Sequence, residues 1–180
     1  WLWRWWWFRG RFRRRGRRFR WRWRLGGMVS MKNRYLRNVF TTRWSLRRAF
    51  PVDLLDDIER AIQASEMQHN AEFRFAIEAA LDAPTLLRGC SPRERAMEVF
   101  SNLRIWDTAA NNGVLIYLLL SEHAIEIVAD RGYNDKVSAR QWQDICDAMR
   151  ELFQGGHYRE GALRGIEMIT SVVSGHFPPD

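Results

Sequence analysis

Residues from about Pro51 to Pro178 predict an α/β fold, a small mixed β-sheet sandwiched between helical layers. Two observations carry this. The run Val114 to Leu120 is apolar at every position and is bounded by Gly113 and by Ser121-Glu122, as a central strand covered on both faces requires. Around it, periodic segments follow in the order helix, strand, helix, strand, strand, helix, helix. That order describes one βαβ crossover, an antiparallel hairpin and two C-terminal helices.

Taken in turn, Pro51 opens the first helix, and Asp53, Asp56 and Asp57 fall in its first turns, where acid offsets the helix dipole. Leu54, Leu55, Ile58, Ile62 and Met67 form its apolar stripe. Phe73, Phe75, Ile77 and Ala79 then alternate with Glu72, Arg74, Ala76 and Glu78, which is strand periodicity, although the Ala and Glu content keeps helix as an alternative. Glu78 is expected to face out from mid-strand. Pro84 and Gly89 mark a loop. Ser91, Pro92 and Glu94 read as N-cap, N1 proline and capping box of a helix running to about Leu103, which buries Ala96, Val99, Phe100 and Leu103. Trp106 is expected to pack over the sheet from the end of that helix.

Ala124 to Asp130 follows the central strand so closely that the two predict a hairpin, its turn near Glu122 pairing Val114 with about Asp130. Ile125 and Ile127 face one side, Glu126 and Val128 the other. A helix over about 138–153 buries Trp142, Ile145, Met149 and Leu152, Gly155-Gly156 reverses the chain, and a helix over about 158–173 buries Leu163, Ile166, Ile169 and Val173.

The region before Pro51 has another character. Of the 29 Lys and Arg residues, 11 arginines lie in residues 1–27, which contain no acid. The remainder carries 18 basic against 21 acidic residues, a net of −3, so the formal charge of +8 belongs to the tract and gives no reason to expect specific nucleic-acid binding by the folded part. Residues 1–27 use only Trp, Arg, Phe, Gly and Leu and cannot specify a core. Glycine codons read two bases late yield Trp, Arg and Gly, so the tract is expected to be a Gly/Ser-rich tail translated in a shifted frame, with Met28 or Met31 as the start. The competing reading is a Trp/Arg arm active at membranes. Residues 28–50 form a basic lead-in, Lys32, Arg34, Arg37, Arg43, Arg47 and Arg48 without an acid, interleaved with Phe40, Trp44 and Phe50. It is expected to be solvated, with a few docked aromatics; contact with a membrane surface or with nucleic acid is the alternative.

Several classes are excluded. Cys90 and Cys146 lie in no Cys/His pattern, so no zinc site is expected and two idle thiols are. No apolar run approaches the roughly 20 residues of a spanning helix, and the N-terminus lacks the pattern of a signal peptide. A cytoplasmic location, with peripheral membrane association as its extension, is the expectation. GxSxG, P-loop, GxGxxG and HExxH motifs are missing.

Candidate site residues follow from the topology. If the hairpin pairs as above, Asn111-Asn112-Gly113 enters the second strand beside Asp130-Arg131-Gly132, which leaves the third. A parallel first strand starts at the same end, bringing Glu72 with Glu66 and His69 upstream, and Asp107 precedes the asparagines. Asp107, Asn112 and Asp130 are candidate ligands of a hard cation, Ca²⁺ or Mg²⁺, with Glu66, His69, Glu72, Asn111 and Arg131 nearby. Arg131 beside such an ion suits a phosphate. The plainer readings are a turn in which Asn and Gly tolerate positive φ, an Asp130–Arg131 ion pair and a structural or solvent-exposed His69.

Ser65-Glu66, His69, Glu72-Phe73-Arg74-Phe75, Trp106-Asp107-Thr108, Asn111-Asn112-Gly113-Val114-Leu115-Ile116-Tyr117 and Val128-Ala129-Asp130-Arg131-Gly132 together resemble the TPM domain family, with Trp142, Gly155-Gly156 and His176-Phe177-Pro178 in support. The resemblance implies an α/β/α sandwich over about Phe50 to Pro178. It implies a non-catalytic cation- or partner-binding module linked to membrane-protein or envelope maintenance; the alternative is a metal-assisted acid phosphatase acting on phosphomonoesters. Members include plant thylakoid-lumen, photosystem-repair and receptor-modulator proteins. Bacterial relatives are often encoded beside a second TPM protein with a glycine-rich tail, which agrees with the shifted-frame reading.

Overall fold

A computed structural model describes residues 31–41 and 43–179. The expectations for residues 1–27 and for Met28 lie outside them. Among the described residues, seven helices and three strands are ordered α1 (Met31–Phe40), α2 (Arg43–Ala49), α3 (Val52–Glu66), β1 (Phe73–Glu78), α4 (Ala83–Leu87), α5 (Pro92–Asn102), β2 (Val114–Leu119), β3 (Ala124–Ala129), α6 (Ala139–Gln154) and α7 (Tyr158–Ser174). Among the described residues no helix is long and apolar enough to cross a membrane.

The sheet has the order β1-β2-β3, with β1 parallel and β3 antiparallel to β2. All six residues of β2 are buried, because β2 is central and both its faces are covered. Val114, Ile116 and Leu118 join Phe73, Ile125 and Ile127 in a core shared with α3, α6 and α7. Leu115, Tyr117 and Leu119 face the other way, toward Leu86 of α4 and Ala96, Val99 and Phe100 of α5. Each fully buried aliphatic side chain contributes roughly 1.5–3 kcal/mol, and β2 contributes on both of its faces. The expected α/β/α sandwich is the observed one.

The capping signal expected at the start of α5 is present, and α6 opens on a second one that was not expected. Ser91 and Glu94 form the capping box of α5, and Ser138 with Gln141 forms that of α6. Elsewhere the structure departs from expectation. The hairpin turn is a 3₁₀ segment, Leu120–Glu122, closed by His123 in the left-handed region, so Leu119 pairs with Ala124 and Val114 with Ala129 rather than Asp130. Residues 83–87 are helical, since Pro84 is compatible with a first turn and Asp82 caps it through the Thr85 amide. Leu55, Met67 and Leu103 are exposed. Leu152 and Leu163 are half-buried, while Phe153 and Ala162 take the corresponding core positions.

Trp106 is 51% exposed, correcting its assignment to the core; α5 has already ended and Ile105 takes the fully buried position instead. Trp106→Ala is therefore expected to cost less than about 1 kcal/mol in chemical denaturation, far below the roughly 3–5 kcal/mol of a buried tryptophan.

Residues before Pro51 are not merely a solvated lead-in. Asn38 of α1 is buried with its amide group fully used: Oδ1 accepts from the Leu81 amide (2.8 Å) and Ser121 Oγ (2.9 Å), and Nδ2 donates to the Arg34 carbonyl (3.0 Å) and Glu122 Oε1 (3.3 Å). Arg34 Nε adds an ion pair to Glu122 at 2.8 Å. Helix α1 is thus held on the hairpin turn by polar contacts, and Phe50 anchors the end of α2 against Phe153 and Tyr158.

Candidate functional site at the start of the sheet

Parallel pairing puts the start of β1 beside the start of β2, and the hairpin brings the exit of β3 to the same end. Three backbone contacts hold these segments together. The Val114 amide donates to the Glu72 carbonyl (2.8 Å), the Asp130 amide to the Gly113 carbonyl (2.9 Å) and the Gly132 amide to the Asn111 carbonyl (2.9 Å). A Cβ on Gly132 would sit 2.5 Å from that Asn111 oxygen, so only glycine permits the approach. Asn111 itself has φ +50, the left-handed conformation that asparagine tolerates.

Asn112 is 1% exposed. Its amide accepts nothing at Oδ1, while Nδ2 donates to both the carbonyl (3.2 Å) and Oδ1 (3.1 Å) of Asn70, its backbone N–H donates to Thr108 Oγ1 (3.0 Å), and its carbonyl accepts from the Tyr133 hydroxyl (2.9 Å). Asp130 Oδ1 accepts from the Arg131 amide at 2.7 Å, and Oδ2 is buried without a partner. Both orphaned atoms are oxygens, and each lies within one residue of the Gly113–Asp130 backbone bond. Burying an oxygen without a donor costs about 1–3 kcal/mol, more for a charged group.

The other predicted residues divide. Arg131 makes no ion pair with Asp130; its Nε donates to Asn111 Oδ1 at 2.8 Å, and the residue is exposed. Glu66 and Glu72 both turn to Arg74, Glu66 at 3.4 Å and Glu72 closer. Asp107 is exposed in the loop after α5. Among the described residues no three His, Cys, Asp or Glu side chains converge as a metal-binding cluster.

His69 belongs to the core. Thr170 Oγ1 donates to the Ile166 carbonyl (2.7 Å), which leaves it to accept from Ser65 Oγ (2.6 Å), and Ser65 Oγ in turn accepts from His69 Nε2 (2.8 Å). His69 Nδ1 accepts from the Ala71 amide (3.3 Å). Both ring nitrogens are committed to the neutral form, and burial lowers the pKa from 6.5 accordingly. Burial also pushes His123, at the opposite end of the sheet, down to about 4. Neither folded histidine takes up a proton where the unfolded one does, so stability is complete above the unfolded pKa near 6.5 and declines as pH falls through it. Thermal melts between neutral pH and about pH 5 are expected to show this loss, and His69→Gln to reduce it.

Sequence reasoning missed Asn70, Thr108 and Tyr133, which orient Asn112. Asn70 follows His69 directly, and Tyr133 begins the lead into α6; nothing in their spacing marks them. The thiols of Cys90 and Cys146 are free and buried, as expected.

A three-layer α/β/α domain whose mixed three-stranded sheet brings the starts of β1 and β2 beside the exit of β3 is the class of protein these features define. The chain belongs to the TPM domain family, whose domain matches residues 50–172. Among solved structures it is similar to the BA42 protein of the psychrophilic bacterium Bizionia argentinensis, determined by NMR, with 29% identity over 72% of this chain and 84% of that one and a TM-score of 0.59. No curated protein matches it.

Proposed function

We propose that this TPM domain is a non-catalytic module that binds a hard divalent cation, Ca²⁺ or Mg²⁺, through Asn112 Oδ1 and Asp130 Oδ2, with Asp107 and water completing the shell. The observation that supports it is the pair of buried, partnerless oxygens at one end of the sheet. A cation there would offset two desolvation costs at once. Its role would be to stiffen the junction of β1, β2 and β3 for a partner in membrane-protein or envelope maintenance.

A cation that binds only the folded chain is expected to raise stability by about 2.7 kcal/mol at 100 times its dissociation constant. Calorimetric melting with Ca²⁺, Mg²⁺ and chelator measures this. Asp130→Asn is expected to remove the gain and leave the cation-free fold intact, since it deletes charge with little change of shape. Glu59→Gln, on the exposed side of α3, is the control that leaves the gain unchanged. Identical melting in all three solutions would overturn the proposal.

Arg131 supports a second reading, a metal-assisted phosphatase. Asn111 holds its Nε, which aims a guanidinium at the same end of the sheet as Asp130. Turnover of a generic phosphomonoester, lost in Arg131→Met and dependent on the cation, would favour that reading; no turnover with either metal would dismiss it.

A further inference from the structure

The segment 31–50 contains six basic residues and no acid. The fold uses Arg34 internally, on Glu122. Trp44, Arg47 and Arg48 lie at i, i+3 and i+4 of α2 and so share one helical face. Trp44 is 67% exposed, Arg47 and Arg48 are exposed, and the Arg48 guanidinium stands 5.5 Å over the indole. On the neighbouring helix Leu36 is 54% exposed, with Arg37 beside it. Asp53 and Asp57, early in α3, are engaged by Arg159, and Asp57 also by Arg60.

This face is held outward rather than left to collapse on the domain. Asn38 fixes α1 to the hairpin turn, and Phe50 fixes the end of α2 in the core. A large amphipathic ring with two arginines one turn away matches the interface of an anionic bilayer, where the indole sits at headgroup depth and each basic side chain near the surface adds attraction. The indole favours lipid, since an amphipathic ring sits at headgroup depth there, while stacking on nucleic-acid bases is the competing use that the test below separates. We propose that the Trp44/Arg47/Arg48 face of α2 docks the domain on the surface of an anionic phospholipid bilayer. The inference uses residues remote from Asn112 and Asp130, so it stands or falls independently of the cation site.

Because residues 1–27 are themselves rich in Trp and Arg, the test needs a local readout on the full chain. Hydrogen exchange followed by mass spectrometry is measured with phosphatidylserine/phosphatidylcholine vesicles, with phosphatidylcholine vesicles and with single-stranded DNA. The expected result is slowed exchange over residues 36–50 with the anionic vesicles alone, reversed by high salt. Trp44→Ser with Arg47→Ser is expected to abolish that local slowing while exchange in α3, α6 and α7 stays as in the parent. The conservative pair Trp44→Phe with Arg47→Lys is expected to retain it, which separates loss of docking from loss of α2. Slowing confined to residues 1–30, equal slowing with neutral vesicles, or slowing with DNA and not with vesicles would each overturn the proposal.

Discussion

Glu78→Ala is expected to lower the unfolding free energy by about 3 kcal/mol, the lower end of the range for breaking a buried ion pair. The sequence placed Glu78 as an outward, mid-strand side chain. It is the last residue of β1, and it joins three elements. Arg95 of α5 grips it through Nε at 3.0 Å and a terminal nitrogen at 2.6 Å, and the hydroxyl of Tyr117 in β2 donates to it at 2.6 Å. Both charged side chains are largely buried, and Tyr117 is fully so. Removing the carboxylate leaves Arg95 with Glu98 alone and strands a buried hydroxyl. Tyr117→Phe, which removes a single hydrogen bond and leaves the ion pair, is expected to cost only about 1 kcal/mol. Urea denaturation of the two variants measures both values; a loss for Glu78→Ala no larger than that for Tyr117→Phe would show that water replaces the carboxylate freely.

Gly113→Ala is expected to cost about 3 kcal/mol, at the upper end for an overpacked position. A Cβ there would stand 2.0 Å from the carbonyl oxygen of Ile105, whose own side chain is fully buried. Relief requires moving either the start of β2 or the loop after α5. Because Gly113 also accepts the Asp130 amide, the shift would spread the proposed cation site and weaken the Ca²⁺- or Mg²⁺-dependent gain. Gly89→Ala makes the contrast: its φ is +72 with nothing within 4 Å of a Cβ, so only the left-handed backbone is strained, at about 1–2 kcal/mol. Denaturation curves for the two variants should rank in that order.

These positions also show what could be read in the sequence. Uniform apolarity marked β2 as central, the helical crossover made β1 parallel to it, and the Ser-x-x-Glu spacing located the start of α5. Each is a local pattern with one structural solution. Strand directions alone place the start of β2 beside the exit of β3, and that much was legible for the same reason. What escaped depends on distance in three dimensions. Asn-Asn-Gly looked like a turn whose Asn and Gly supply positive φ. Asn111 alone takes that conformation, and Gly113 is required by the approach of Ile105. Asn38 sits in a basic stretch that reads as solvated, and only the fold supplies the partners that bury it. The register slipped by one because a four-residue connection ending in a left-handed His123 cannot be told from a tighter turn by composition. Trp106 beside Leu103 and Ile105 suggested a helix end packed over the sheet, whereas the chain leaves α5 before reaching it.

The two pairings of β2 differ in how far apart in the chain their partners lie, and this sets an order of assembly. The β2–β3 ribbon closes over four residues, an event of microseconds in isolated hairpins. Registering β1 on β2 requires the whole of residues 79–113 to be gathered first, with the entropy of a long loop spent before any contact is made. Tyr117 reaches Glu78, the final residue of β1, only when that long closure is complete. Until then β2 has one unpaired edge lined by Leu115 to Leu119, a template to which another nascent chain can add. The rate at which the crossover docks thus governs how long each newly made molecule is open to aggregation.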